Sequence, residues 1–251
     1  MFKKRIQKLR KSFLKRFLFL IRKQQFEFVY KQIKFQLDLR DSIDREIFFN
    51  GYYEENQTEF LIESIKKYNI KHFIDVGANI GIYSLRIGKK FPQIKINSIE
   101  PHPSAFKRLR ANIELNKLSD TIITHNVALS DVSGPGFLSS AFDTQSGGAK
   151  VEQTDHNRFN ISKIKLERAD NILKLKNERV AIKIDVEGFE SRVLDGFGNL
   201  LTSNEIVLQI EIFDEKLSET SKFLEDFNFK LIGKGTFTHQ DTVKDYFYIN
   251  F

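Results

Sequence analysis

The sequence predicts an α/β fold, a mostly parallel sheet with helices on both faces. Three observations predict it. Short apolar runs alternate with stretches of helical periodicity over most of the 251 residues. One such run, Phe73-Ile74-Asp75-Val76, leads into a glycine-spaced turn that opens a helix. A second acid, Glu100, closes the next apolar run, as acids at carboxyl ends of strands do in open α/β sheets. The length suffices for one well-buried domain of this kind plus an extension.

Taken in order, residues 1–48 read as a basic, amphipathic, helical extension, and residues 49–251 as the main domain. Asn50-Gly51 is a turn signal. Residues 59–68 place Phe60, Leu61, Ile65 and Tyr68 on one side of a helix. Residues 71–76 form a buried strand, 80–90 a helix that Phe91-Pro92 breaks, and 94–100 the second strand. Pro103 starts a helix over 104–116, and 121–129 is the third strand. The turns Ser133-Gly134-Pro135-Gly136 and Ser146-Gly147-Gly148 bracket short hairpin strands or an ordered loop. Strands follow at 180–185 and 205–213, then a helix over 217–227. Residues 230–233 and 246–251 read as a closing hairpin.

Composition narrows the chemistry. No cysteine is present, which excludes disulfides, thiolate zinc sites and cysteine nucleophiles, and fits a reducing, cytoplasmic setting. The formal net charge of +7 is unevenly spread, because the first 40 residues hold a large excess of Lys and Arg. Their longest apolar run, Phe17 to Ile21, is far short of the roughly 20 residues that a spanning helix needs. Arg22 and Lys23 interrupt it, and no small-residue cleavage site follows, so a secretory signal is not expected. A basic helix carrying Phe13, Phe17 and Leu20 either packs on the domain or lies on an anionic membrane surface. Equal binding of anionic liposomes by the full chain and by a chain lacking residues 1–40 would remove the membrane reading. No nucleic-acid-binding signature accompanies the lysines.

Three motifs carry chemistry. Gly77 and Gly81 frame a turn whose backbone can approach a ligand, and the helix beyond aims free N–H groups above the sheet. The spacing Gly77-x-Asn79-x-Gly81 lacks the third glycine of a dinucleotide site, and Asp75 would repel a pyrophosphate while suiting a cationic group. Glu100 is placed to accept hydrogen bonds from two ribose hydroxyls. In Lys183-Ile184-Asp185-Val186-Glu187-Gly188-Phe189-Glu190, three acids crowd a strand end, where charge is costly without a ligand, a metal or a cation. The bland reading gives Glu187 and Glu190 to a helix dipole. Together the motifs indicate a nucleoside cofactor.

The ordered set DVGANIGIYS, SIEPHPSAFKRLRANIELN, NVALSD, KIDVEGFESRVLDG and IVLQIEIFDEK resembles the FkbM-type S-adenosylmethionine-dependent methyltransferases, from about Gly51 to the C-terminus. Gly51-Tyr52-Tyr53-Glu54 and Ser146-Gly147-Gly148 are also similar to that family, whereas Glu167-Arg168-Ala169-Asp170 departs from its usual Thr-Leu-Asp. The resemblance implies a Rossmann-like class I methyltransferase fold, with a seven-stranded, mostly parallel sheet. By the same resemblance, Asp75, Gly77, Asn79 and Gly81 would line the methionine part of S-adenosylmethionine and Glu100 the ribose. Asn126, Val127 and Ala128 would border the adenine, and Asp185 would stand beside the sulfonium. It also suggests O-methylation of a sugar, glycan or lipid-linked hydroxyl. Asp185, Glu187 and Glu211 are the candidate catalytic acids, with His102 as a rival base; the same three acids could instead hold a divalent metal. Two other classes remain at this point: a nicotinamide-dependent oxidoreductase, and a non-catalytic nucleic-acid-binding protein on the same fold.

Overall fold

The computed structural model describes residues 25–51, 53–139, 149–152, 161–235 and 243–251. Expectations for residues 1–24, Tyr52 and Ser146-Gly147-Gly148 lie outside the described residues.

A seven-stranded sheet forms the centre. Its strands, in chain order, are β3 (His72–Val76), β4 (Lys95–Ile99), β5 (Ile122–His125), β10 (Arg179–Ile184), β11 (Glu205–Phe213), β12 (Lys230–Lys234) and β13 (Val243–Ile249). Across the sheet they run β12-β13-β11-β10-β3-β4-β5, and only β13 is antiparallel to its neighbours. The predicted fold class is observed, closing hairpin included.

Each central strand alternates its side chains between two cores, as the period of a strand dictates. Phe73, Ile96, Ala181 and Val207 enter one core, while Ile74, Ile99, Ile182 and Leu208 enter the other. The first core is covered by α2 (Glu55–Lys67), α3 (Ile82–Lys90) and α4 (Pro103–Leu115). Helix α6 (Glu190–Phe197) and helix α7 (Leu217–Asp226) cover the second, with the short α5 (Ala169–Ile172) beside them.

Residues 25–50 meet the helical expectation only in their last part. They form β1 (Gln25–Tyr30) and β2 (Ile33–Asp38), an antiparallel hairpin, and then α1 (Ser42–Asn50). Tyr30, Ile33, Phe35 and Leu37 belong to the first core, so this segment is packed against the domain. Its backbone is tied down as well. Asn112 on α4 and Asn116, which caps its C-terminus, accept hydrogen bonds from the Gln36 and Lys34 amides at 2.7 and 2.9 Å. Gly51 ends α1 in the left-handed conformation, as the turn signal required.

The third predicted strand is also divided. Residues 122–125 stay in the main sheet, while β6 (Ala128–Leu129) joins a second sheet with β7 (Gly134–Ser139), β8 (Lys150–Glu152) and β9 (Ile161–Glu167). The break at Asn126-Val127 turns the chain away from the main sheet and over the ends of its strands. Among the described residues, no helix is long and apolar enough to cross a membrane.

Candidate active site

A cleft opens at the carboxyl ends of β3, β4 and β10, where open α/β sheets bind ligands. Seven of the nine residues assigned to a cofactor line it: Asp75, Gly77, Asn79, Glu100, Val127, Ala128 and Asp185. The three candidate catalytic acids, Asp185, Glu187 and Glu211, line it too. Gly81 and Asn126 do not. Gly81 is the left-handed residue before α3, where an added Cβ would meet Leu109 Cδ1 at 2.6 Å. Asn126 is exposed, and its amide donates to the carbonyl oxygens of Glu100 and Pro101 at 2.8 and 3.3 Å. Both shape the wall from behind. The Glu167–Asp170 segment is engaged elsewhere: Glu167 accepts from Asn171 and Lys165 at 2.9 Å, and Arg168 pairs with Asp170 at 2.6 Å.

The first turn fits a backbone-bound ligand. Gly77 has φ of +80°, and a Cβ there would stand 1.8 Å from the carbonyl oxygen of Asp185. The ends of β3 and β10 therefore touch through a position open only to glycine. Asn79 and Gly81 also take positive φ, so the chain doubles back before α3 begins.

Glu100 is buried, and both of its oxygens are held by backbone. Oε2 accepts from the Asn79 amide at 2.8 Å and Oε1 from the His102 amide at 2.7 Å. A carboxylate oxygen has two lone pairs, so each keeps one for a hydroxyl donor. Burial pushes this carboxyl up to about 7 against the pull of those two amides. His102 lines the same wall, immediately before α4.

Asp75 belongs to a buried polar row. Parallel pairing sets Ser98, Asp75, Lys183 and Gln209 side by side across β4, β3, β10 and β11. All four are buried, on the face toward α2 and α3. Asp75 Oδ2 accepts from the Ser84 hydroxyl at 2.6 Å and the Ser84 amide at 3.1 Å. Its Oδ1 is buried without a hydrogen-bond partner. Burial raises the Asp75 carboxyl, and nearby Lys183 and Ser84 oppose the rise. An unmatched carboxylate oxygen of this kind is costly, and a ligand cation would match it.

Lys183 donates to Asp185 Oδ2 at 2.8 Å and lies 4.7 Å from the centre of the Tyr83 ring. Burial works against its charge, but Asp185, Glu54 and Asp75 outweigh burial and hold the ammonium well above its ordinary range. Beyond it stands a group that the motif reading did not assign. Glu54 lines the cleft and accepts the Tyr83 hydroxyl at 2.8 Å; Gln209 donates to that hydroxyl at 3.0 Å and to Asp245 at 2.9 Å. Glu54 is also a non-glycine residue in the left-handed region, with φ 42° and ψ 47°. Such backbone costs on the order of 1–3 kcal/mol and collects at functional positions. Burial raises its carboxyl to about 7, with Lys183 opposing and Asp185 and Asp245 adding. Glu211, opposite Asp245 in the antiparallel pair, is pushed up to about 10 by burial and by those same acids. Among the described residues, no three His, Asp or Glu side chains converge as a metal site.

Residues 75–231 match the family model described as "Methyltransferase FkbM domain". "Methyltransferase sdnD" of Sordaria araneosa is 29% identical over 116 residues, covering 45% of this chain and 43% of that protein. "Methyltransferase 1" of Beauveria bassiana (strain ARSEF 2860) is 33% identical over 72 residues, covering 25% of this chain and 29% of that protein. The chain thus spans less than half the length of these two relatives. Among solved structures, a putative transferase, PH0793, from Pyrococcus horikoshii is similar in fold, with a TM-score of 0.52 at 14% identity over 90% of this chain and 71% of that one.

Proposed function

Because the chain belongs to the FkbM methyltransferase domain family, we propose that it moves a methyl group from S-adenosylmethionine to a hydroxyl of a sugar, glycan or lipid-linked acceptor. The FkbM methyltransferase match favours this reading over the nicotinamide and nucleic-acid ones. The observation that supports this cofactor is the pair Glu100 and Asp75. One acid offers two fixed oxygens for a ribose, and the other offers an orphaned oxygen for an ammonium.

When bound, S-adenosylmethionine supplies a methyl group already activated on a sulfonium. The chain then needs mainly to position and to take up a proton. Glu100 would hold the ribose, and Val127 and Ala128 would flank the base. Gly77 and Asn79 would line the methionine part, and Asp75 would match its ammonium. Asp185 would stand beside the acceptor, with one oxygen already committed to Lys183. Glu187, on a left-handed turn with φ of 55° in the cleft wall, would receive the hydroxyl proton. Burial and the neighbouring acids push the Glu211 carboxyl up, which suits it to donate a proton rather than to take one.

Thermal unfolding with and without S-adenosylhomocysteine tests the reading, with NAD as the control. A ligand at about 100 times its dissociation constant adds about 2.7 kcal/mol. The expected result is a rise of several degrees with S-adenosylhomocysteine alone; no rise, or a rise with NAD, removes the cofactor assignment. Turnover of Glu187→Gln close to the parent would remove Glu187 as the base.

A further inference from the structure

The resemblance sets Asn126 beside the adenine, yet the residue is exposed and does not line the cleft. Its two hydrogen bonds point to a different task. The side-chain amide donates to the Glu100 carbonyl at 2.8 Å and to the Pro101 carbonyl at 3.3 Å. Among the described residues, no other group donates to either carbonyl. The Glu100 amide is held from the same strand end, by the His125 carbonyl at 3.0 Å.

The Pro101 carbonyl and the His102 amide belong to one planar peptide and point in opposite directions. Asn126 takes the carbonyl on one side, and Glu100 Oε1 takes the N–H on the other at 2.7 Å. Proline removes most other freedom from this turn. The Pro101 ring fixes its own φ. Pro101 also keeps Glu100 out of the helical region, as Pro103 does for His102, which is extended. What remains is rotation of the Pro101–His102 peptide, and its carbonyl is an atom that Asn126 holds.

We propose that Asn126 is a positioning residue for the ribose: it orients the Pro101–His102 peptide, whose N–H sets Glu100 Oε1 for one ribose hydroxyl before the cofactor arrives. Oε2 is set independently, by the Asn79 amide on the other turn. The inference rests on the reading that Glu100 holds the ribose. It goes further by giving an exposed residue outside the cleft a share in recognising one of the two hydroxyls. A carboxylate oxygen fixed in advance loses little freedom on binding, so its contact adds more to affinity.

Calorimetric titration of the full chain tests this, with S-adenosylhomocysteine and with its two analogues that lack the 2′ or the 3′ hydroxyl. The parent should bind S-adenosylhomocysteine more tightly than either analogue. Asn126→Ala should weaken S-adenosylhomocysteine about fivefold, the size of one ordinary hydrogen bond. It should weaken one analogue similarly and leave the other almost unchanged, the one whose missing hydroxyl is the partner of Oε1. Asn126→Asp keeps the size but gives up both N–H donors, and should reproduce that pattern. Weakening of all three ligands alike by Asn126→Ala, or of none, would overturn the inference while leaving the ribose role of Glu100 intact. Parent affinities equal for all three ligands would remove that role and the inference with it, and failure of all three to bind would remove the cofactor reading as well.

Discussion

Gly77 shows how one position can hold both the sheet and the cleft. Its missing side chain lets the β3 turn close on the Asp185 carbonyl, and the turn it opens sends the Asn79 amide to Glu100. Gly77→Ala is expected to cost about 1–3 kcal/mol, from overpacking and the disfavoured φ together. Urea denaturation would measure that loss, and the thermal response to S-adenosylhomocysteine should vanish with it. The residues that were legible in the sequence are those held by short-range pattern: Asp75 and Glu100 end apolar runs, and Gly77 spaces a turn. Glu54 was not legible as part of the site, because it reaches Tyr83 and Lys183 only through tertiary packing across most of the domain. A faint signal existed. HFIDV, KINSI, RVAIKI and EIVLQIEIF each carry a polar residue at an inward position of a buried strand, and pairing lines up Asp75, Ser98, Lys183 and Gln209. The register that aligns them is a property of the sheet rather than of any single strand.

At the scale of elements, the hairpin at residues 25–38 carries the clearest lesson. Phe26, Phe28 and Tyr30, then Ile33, Phe35 and Leu37, alternate with the period of strands, yet the segment follows a basic, aromatic stretch and so suggested helix. The turn gave no warning. Lys31 and Gln32 both adopt positive φ, 48° and 64°, where Asn-Gly would be the usual signal. Ties from elsewhere sustain that turn, with Glu55 accepting from both Tyr30 and Lys31. Phe35 anchors the hairpin at full burial. Phe35→Ala should therefore cost about 3–5 kcal/mol, as a large cavity in a core does, and not the few tenths expected of a surface arm. Strand β9 went unread for a different reason. ISKIKLE alternates only weakly, and its pairing with β6 and β7 supplies what its composition does not.

For the whole molecule, the distribution of strained carboxyls predicts the pH response. Asp44, Glu54, Glu100 and Glu190 lie at about 7 in the fold, well above the ordinary carboxylate range, chiefly through burial. Between their unfolded and folded values the native state holds more protons than the unfolded chain, so stability falls as pH rises. Acids with lowered values act in the opposite direction. Glu167, at about 2 through its bonds to Asn171, Lys165 and Ser133, contributes stability that is full above its ordinary value and is lost as pH falls toward 2. The ligand-free protein is thus expected to be most heat-stable near pH 5 and to lose on the order of 5 °C or more by pH 8. Scanning calorimetry across that range would check it, and a flat or rising profile would contradict it.

The fate of Lys183 extends beyond the cleft. An amine that stays protonated and shielded does not react with acylating reagents, which attack only the free base. Lys183 is 4% exposed and held in its charged form by three acids. Brief acetylation of the native protein at neutral pH should therefore mark exposed lysines such as Lys95 while leaving Lys183 unmodified, as peptide mass spectrometry can read. The same treatment in denaturant should label it fully. One residue in the middle of the sheet would then act as an internal clock for opening of the fold, ticking only when β10 comes apart from its neighbours.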